Sequence, residues 1–534
     1  MLEFTQPGGK SQLLTRCWIR VALSTGASRT MPGDCPNLPV APGSMEQCVP
    51  SAGTADPIEG RKMNRNGAAA LEAFVLGRMI DTRLPGVSLA LVANGTVVHQ
   101  SGLGFRHLER RLAVTPQTLF GIGSITKVFT AVAILQLRDR GLLQLDDPVD
   151  RYIALPLKPA GQPIGIWHFL SHTSGIPALG FSESKMSDRW FMAGFPIADD
   201  EDLLTFMHGA ESWVHAPPGE RWFYLNEGYV LLGSIIEKVT GQTYVDYVTE
   251  HILQPLGMER SYFTREQVEG DPDHATPYLR DRDNTLFVGS NLYSPIPAAG
   301  GLVSSVEDMA RFALLFLNEG RTTAGAPLIS PESLQMMMEP RVRLPHEEEP
   351  GFPEAETWAQ GDDVPPEYAG YYGYGLQIYP NFYGNDLVGH GGGVMGGTSY
   401  LAVVPDRQVG VVLLANGHGY PMGQLAMYAL AGLLGQDPEH LPFVRRDRLL
   451  NELCGDYESF RSTIRGEVLR KGDILELQIH FHHEDRVVPF IPVELGDHTS
   501  QFLAFSGGRR VAAEFVRSET SIDLVYERYK LRKL

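Results

Sequence analysis

Cysteine is scarce, with four in 534 residues. Cys17, Cys35 and Cys48 fall in the leading segment and Cys454 stands alone, so neither a disulfide framework nor zinc-ligand spacing is visible. The shortage leans toward a reducing, cytoplasmic setting. Positive charge is also short. With 45 Lys and Arg against 63 Asp and Glu, the net charge of −18 argues against nucleic acid or an anionic membrane as partner, because both need a basic footprint. No run of eighteen or more apolar residues occurs, which excludes a transmembrane helix. What remains is ordinary: 43% hydrophobic and 20% charged residues, in a chain long enough for two or three domains with a large buried core. Small-molecule or peptide chemistry stays open.

Residues 1–62 are rich in Gly, Pro, Ser and Thr without sustained periodicity, and read as a disordered leader or a misassigned start. Arg16 and Arg20 interrupt any apolar core, so the segment makes a poor signal peptide. Met63 precedes the first convincing element, a helix over 67–82 with Leu71, Phe74, Val75 and Met79 on one face. Strands at 87–93 and 96–100 flank Asn94-Gly95, a strong hairpin signal. A region broken by Pro and Gly over 146–225 reads as an inserted helical subdomain. A helix follows over 228–240, and Ser304 with Glu307 reads as a capping box opening a helix to Gly320. The proline-rich, acidic stretch 339–367 reads as a mobile loop over a cleft. Strand-like runs at 372–378, 398–404 and 409–414 would complete the sheet from far along the chain, followed by a helix over 422–434. The expected domains are 63–435, a linker over 436–450, and a small β-barrel over 451–534.

The chain is organised around Leu119-Phe120-Gly121-Ile122-Gly123-Ser124-Ile125-Thr126-Lys127. Ser124 reads as an N-cap, with Val128, Val132 and Leu135 at helical spacing behind it and Gly141 as the stop. Residues i and i+3 share a helix face, so the Lys127 amine reaches the Ser124 hydroxyl beside the positive end of the helix dipole. Burial and cationic neighbours favour the neutral amine, which then serves as a base. A second Ser-x-x-Lys, at Ser182 and Lys185, has no apolar helix behind it and serves as a control.

Tyr224-Leu225-Asn226 closes the Pro217-Pro218-Gly219-Glu220 loop just before a helix, well placed to face a cleft. Tyr-x-Asn recurs at Tyr379 and Tyr383, so its position carries the signal. His390-Gly391-Gly392-Gly393 precedes a strand, and its glycines would let a substrate approach the backbone. Taken alone it reads as a flexible turn. His480 and His482 alternate onto one strand face, but a metal site needs further donors that the sequence does not identify; solvent-facing histidines are the reading.

Together, in this order, these three pieces resemble the class C β-lactamase and penicillin-recognising serine hydrolase family. Leu170-Ser171-His172-Thr173-Ser174-Gly175-Ile176-Pro177 and Ala299-Gly300-Gly301-Leu302 support the likeness. It implies an α+β fold, an antiparallel sheet flanked by helices with a mostly helical lobe, the site lying between them. By resemblance Ser124 is the acylated nucleophile, Lys127 takes its proton, and Tyr224 shares the proton work. Asn226 offers an amide to the substrate, while the backbone amides of Ser124 and Gly393 form the oxyanion hole. His390, Gly392 and Gly393 stand where penicillin-binding members carry Lys-Thr-Gly, so grip on a substrate carboxylate is weaker than a fixed ammonium would give.

The expected function is a serine hydrolase acting through an acyl-enzyme on a peptide, amide or ester, needing no metal or cofactor. The alternatives are a β-lactamase, or a non-catalytic binding or assembly protein on the same fold. Related hydrolases carrying a lipocalin-like barrel suggest a lid or a self-assembly surface, hence a homo-oligomer, for the tail.

Overall fold

The computed structural model describes residues 65–181, 200–289, 295–345, 369–417, 420–480, 485–506 and 508–534. The leader 1–62, the second Ser-x-x-Lys copy, most of the 339–367 loop and residues 481–483 of the histidine run lie outside the described residues. Among the described residues, no helix is long and apolar enough to cross a membrane.

Among the described residues, the central sheet is antiparallel with nine strands: β1 (Gly86–Ala93), β2 (Thr96–His107), β3 (Leu112–Ala113), β4 (Val342–Arg343), β5 (Tyr371–Tyr372), β6 (Gln377–Phe382), β7 (Asn385–Val394), β8 (Gly397–Val404) and β9 (Val409–Ala415). Their spatial order is β3-β2-β1-β9-β8-β7-β6-β5-β4. The early β1 therefore pairs with the late β9, from Val87 opposite Ala415 to Ala93 opposite Val409. Every residue of both strands is buried, as continuous apolar runs at a sheet centre must be.

Helices α1 (Arg65–Thr82), α2 (Thr126–Asp139), α3 (Asn226–Thr240), α4 (Val306–Leu317), α5 (Met422–Leu433) and α6 (Pro442–Leu453) position the rest. Residues 126–137 of α2 are all buried, the pattern of a helix surrounded by protein rather than one lying on a surface. Phe129 of α2 stacks on Phe312 of α4 at 3.7 Å, and Phe74 of α1 on Tyr428 of α5 at 3.8 Å. The α4 cap falls one residue later than the sequence suggests. Ser305 Oγ accepts from the Asp308 amide at 3.2 Å, leaving Glu307 to pair with Arg311 at 3.0 Å.

The tail is a closed eight-stranded barrel, β10 (Gly455–Glu458), β11 (Arg465–Lys471), β12 (Ile474–His480), β13 (Asp485–Leu495), β14 (Thr499–Ser506), β15 (Arg509–Arg517), β16 (Ile522–Tyr526) and β17 (Tyr529–Lys533). Each strand pairs with the next, and β10 closes on β17 through Tyr457 opposite Lys533. Tyr457, Phe490, Phe502, Phe515 and Tyr526 fill the interior, so the barrel is a packed core. Much of the stretch read as a linker is helical. In α6, Leu450 and Leu453 join the barrel core, while Asp447 pairs with both Arg78 of α1 and Arg470 of β11.

Candidate active site

Just before Ser124, Phe120–Gly121 forms a short ribbon with Val303–Ser304, and Gly123–Ile125 makes one 3-10 turn into α2. This turn lies directly against β7. Gly123 has φ +53, and a Cβ there would fall 2.6 Å from the Gly393 nitrogen; one on Gly392 would fall 1.9 Å from the Ile122 carbonyl oxygen. Backbone approach this close requires glycine on both sides. Ser399 Oγ adds a hydrogen bond to the same Ile122 oxygen, at 2.7 Å. The His-Gly-Gly-Gly run is thus part of a paired strand, not a flexible turn: Val388 to Val394 pair in register with Val403 to Gly397. Within it, Gly393 is exposed beside the serine turn.

Ser124 does not cap α2. The N-cap is Ile125, without a side-chain cap, and Thr126 Oγ1 instead donates to the Gly123 carbonyl at 2.7 Å. The serine hydroxyl is left for other partners. Lys127 Nζ lies 3.1 Å from Ser124 Oγ, 2.7 Å from Asn226 Oδ1 and 2.7 Å from the Ala299 carbonyl oxygen. Lys127 is fully buried, whereas Ser124, Tyr224 and Asn226 are each partly open to solvent. Asn226 and the Ala299 carbonyl present oxygens that can only accept, so they claim two protons of the amine. The third direction faces a hydroxyl able to donate or accept. In its neutral form, an amine so held would point its lone pair at Ser124.

The Tyr224 phenol neighbours Ser124, and its ring lies 4.8 Å from Lys127 Nζ. Burial pushes its phenol above the ordinary range, with the neighbouring Ser124 hydroxyl opposing. The phenol therefore keeps its proton near neutral pH. The sequence-predicted Ser124, Lys127, Tyr224 and Asn226 are brought together, Ser124 and Asn226 hydrogen-bonded to Lys127 and the Tyr224 ring beside it.

His390 is set behind this cluster. It is buried, its Nδ1 lying 2.5 Å from the Gly391 carbonyl oxygen and its Nε2 2.9 Å from the Tyr372 hydroxyl. A carbonyl can only accept, which assigns the proton to Nδ1 and makes Nε2 the acceptor from Tyr372. Burial, then the nearby Lys127 charge, pull its pKa down to about 3. A neutral ring with both nitrogens engaged offers no cation to a substrate carboxylate.

Sequence reasoning missed three contributors. The Ala299 carbonyl lies within a quoted phrase, but backbone acceptors leave no residue-type signal. Tyr229 and Tyr372 wall in the lysine and the histidine, with the Tyr229 ring 5.5 Å from Lys127 Nζ. Tyr229 lies five residues after Tyr224 on α3, and its apolar neighbours marked it only as core.

Comparison with known proteins decides the family. The Beta-lactamase family model matches residues 71–435. The chain belongs to the β-lactamase family. This β-lactamase-related, penicillin-binding-protein-like domain is followed by a match to the Pab87 octamerisation domain over 438–532. Among solved structures, the octameric penicillin-binding protein homologue from Pyrococcus abyssi is 39% identical, with a TM-score of 0.75 over 87% of this chain and all of that one. A penicillin-binding protein from Bacillus halodurans is 26% identical, TM-score 0.52, over 67% of this chain and 97% of that one. Protein flp of Staphylococcus aureus strain MW2 is 27% identical over 62% of this chain and 60% of its own length. The match thus spans about three fifths of the length of that curated relative.

Proposed function

We propose that the chain is a serine hydrolase that cleaves a peptide, amide or ester through an acyl-Ser124 intermediate. The observation that carries this is the buried Lys127 amine, held by Asn226 and Ala299 with its remaining direction on Ser124 Oγ. In this reading Lys127 takes the proton as Ser124 Oγ bonds to the substrate carbonyl carbon. The resulting oxyanion is met by the backbone amides of Ser124 and Gly393, and loss of one such donor typically costs about 3–4 kcal/mol of transition-state stabilisation. Tyr224 gives its proton to the leaving nitrogen or oxygen, favoured by the adjacent lysine, now an ammonium. Water then reverses the steps to release the acid and regenerate the serine. The neutral, enclosed His390 favours substrates recognised without a carboxylate clamp, so D-amino-acid peptides, amides and esters rank ahead of penicillins.

The test is a panel of p-nitrophenyl esters, D-amino-acid amides and peptides, and a chromogenic cephalosporin, with Ser124→Ala as control. Turnover of at least one class by wild type and none by the variant is the expected result; equal turnover by both removes the reading. A non-catalytic assembly protein would have no need of a buried lysine aimed at a solvent-open serine.

We further infer that residues 451–534 assemble copies of the chain into a homo-oligomer. Support comes from the octamerisation-domain match and from the barrel exterior. Val487, Ile491 and Val493 on β13 and Phe505 on β14 are 50%, 41%, 58% and 48% exposed, and Ile491 stands opposite Leu503 across the two strands. Apolar side chains this exposed on adjacent strands suit burial against another copy. Mass in solution by light scattering, for the full chain and for one ending at 437, tests the assembly.

A further inference from the structure

The quoted phrase around His172 serves no step of the mechanism above, yet its imidazole touches the catalytic tyrosine. His172 is fully buried and has φ +59, a backbone state that His and Asn adopt more readily than most residues. It holds the Tyr224 segment at both neighbouring peptides. The His172 carbonyl accepts the Phe223 amide at 2.8 Å, and its Nδ1 accepts the Leu225 amide at 3.0 Å. Between these bonds, the Tyr224 ring lies 4.3 Å from the imidazole, tilted by 40°.

The same turn grips the loop further back. Gly219 donates to the Thr173 carbonyl at 2.7 Å and His215 to the Gly175 carbonyl at 3.0 Å, so residues 172–175 anchor the loop that delivers the tyrosine. Nδ1 accepts, which places the ring proton on Nε2. That atom is buried and, among the described residues, lacks a hydrogen-bond partner. It is surrounded by rings: Tyr229 and Tyr372 lie 5.1 Å and 4.9 Å from the imidazole, and Trp222 lies edge-on at 6.2 Å. Leaving a buried N–H unpaired costs about 1–3 kcal/mol. An apolar residue of similar size would avoid that cost but would not hold Leu225.

We propose that His172 is a positioning residue for Tyr224, fixing the two peptides beside it so that the phenol meets Ser124 and the leaving group. This rests on the hydrolase reading above. The imidazole stays neutral and transfers no proton; it acts only through the tyrosine's placement. The consequence is selective. A p-nitrophenolate leaves without needing a proton, whereas an anilide or alkyl ester requires one from Tyr224. Misplacing Tyr224 should therefore slow the second class far more than the first, a split that general loosening of the fold would not produce.

Two variants of the full chain separate the contributions. His172→Gly keeps the backbone conformation and removes the side chain. His172→Asn also suits the positive φ and places an amide oxygen near the position of Nδ1. Acylation of Ser124 is followed by intact mass and by product release, using p-nitrophenyl acetate and a matching anilide or alkyl ester. His172→Gly is expected to lose about a hundredfold in the rate of Ser124 acylation by the second class, and less than about tenfold in acylation by p-nitrophenyl acetate. Tyr224→Phe should show the same split, and His172→Asn should recover most of the loss. A folded His172→Gly that slows both classes equally, or neither, overturns the proposal. If His172→Gly yields no folded protein, His172→Asn decides alone: a loss of about a hundredfold on the anilide overturns the role of the acceptor, and near wild-type rates support it. A wild type that forms no adduct overturns the hydrolase reading and the positioning role with it. A wild type that acylates while His172→Gly keeps pace overturns the positioning role alone.

Discussion

Lys127 Nζ and Asn226 Oδ1 are 2.7 Å apart, so the carbonyl end of the asparagine is committed to the lysine. Its amide end is thereby fixed to point elsewhere, with the partly open side chain presenting Nδ2 as a donor. In the hydrolase reading, one residue thus orients the proposed base and leaves a hydrogen-bond donor for a substrate carbonyl.

Asn226→Asp tests that double duty. A carboxylate against the amine favours the ammonium, and the donor toward substrate is lost. We expect kcat to fall by about two orders of magnitude, with the rate recovering toward higher pH. A pH–rate profile alongside wild type is the measurement; an unchanged profile would mean the amine is not the base.

Much of the fold could be read from the sequence because its elements follow local rules. The Asn94-Gly95 hairpin, the α2 periodicity and the alternating barrel strands each carry their own signal. The misreadings occurred where tertiary contacts override that signal. Ser124 looks like a cap but engages Lys127. The glycines after His390 look like a turn, yet they form a strand because only glycine lets β7 lie against the Ile122 backbone. The run read as a strand over 372–378 is split into β5 and β6, with residues 373–376 turning between them at Gly375, next to the Lys127 carbonyl. In the site, motif residues were visible by type and order. Ala299 and the part played by His172 were not, because backbone acceptors and packing against a tyrosine depend on the fold alone.

Gly392→Ala should be severe. Its Cβ would lie 1.9 Å from the Ile122 oxygen and 2.3 Å from Ser399 Oγ, so β7 and the serine turn must separate. The proposed oxyanion donors on either side, the Ser124 and Gly393 amides, then lose their spacing. We expect about a hundredfold or greater loss of kcat in whatever protein folds, with circular dichroism and thermal melting checking the fold. Wild-type activity would show that this contact does not set the site.

Stability should fall on acidification. His390 is neutral in the folded state, with a pKa of about 3, and His172 is held well below the usual value by burial and by Lys127. Unfolded, each titrates near 6.5. Between those values the unfolded chain binds more protons, so the stabilisation is fully present above about pH 6.5 and is lost as pH falls toward 3. Each histidine contributes a slope of up to about 1.4 kcal/mol per pH unit. Denaturant unfolding from pH 7 to 4.5 should show this slope, and it should be smaller in His390→Gln; identical slopes would contradict the assignment.

The barrel exterior makes a separate prediction. Ile491→Glu together with Phe505→Glu places charge on outward positions that touch neither the barrel core nor the site. The variant should fold and run as a smaller species by light scattering, whereas an unchanged mass would move the assembly surface elsewhere.

The most direct test of the account is intact-mass spectrometry of the full chain after brief exposure to p-nitrophenyl acetate, with peptide mapping of any adduct. The structure predicts one acetyl group on Ser124 in wild type, none on Ser124→Ala, and a much slower adduct in Lys127→Met. An acetyl group on another residue, or equal labelling of all three proteins, would contradict it.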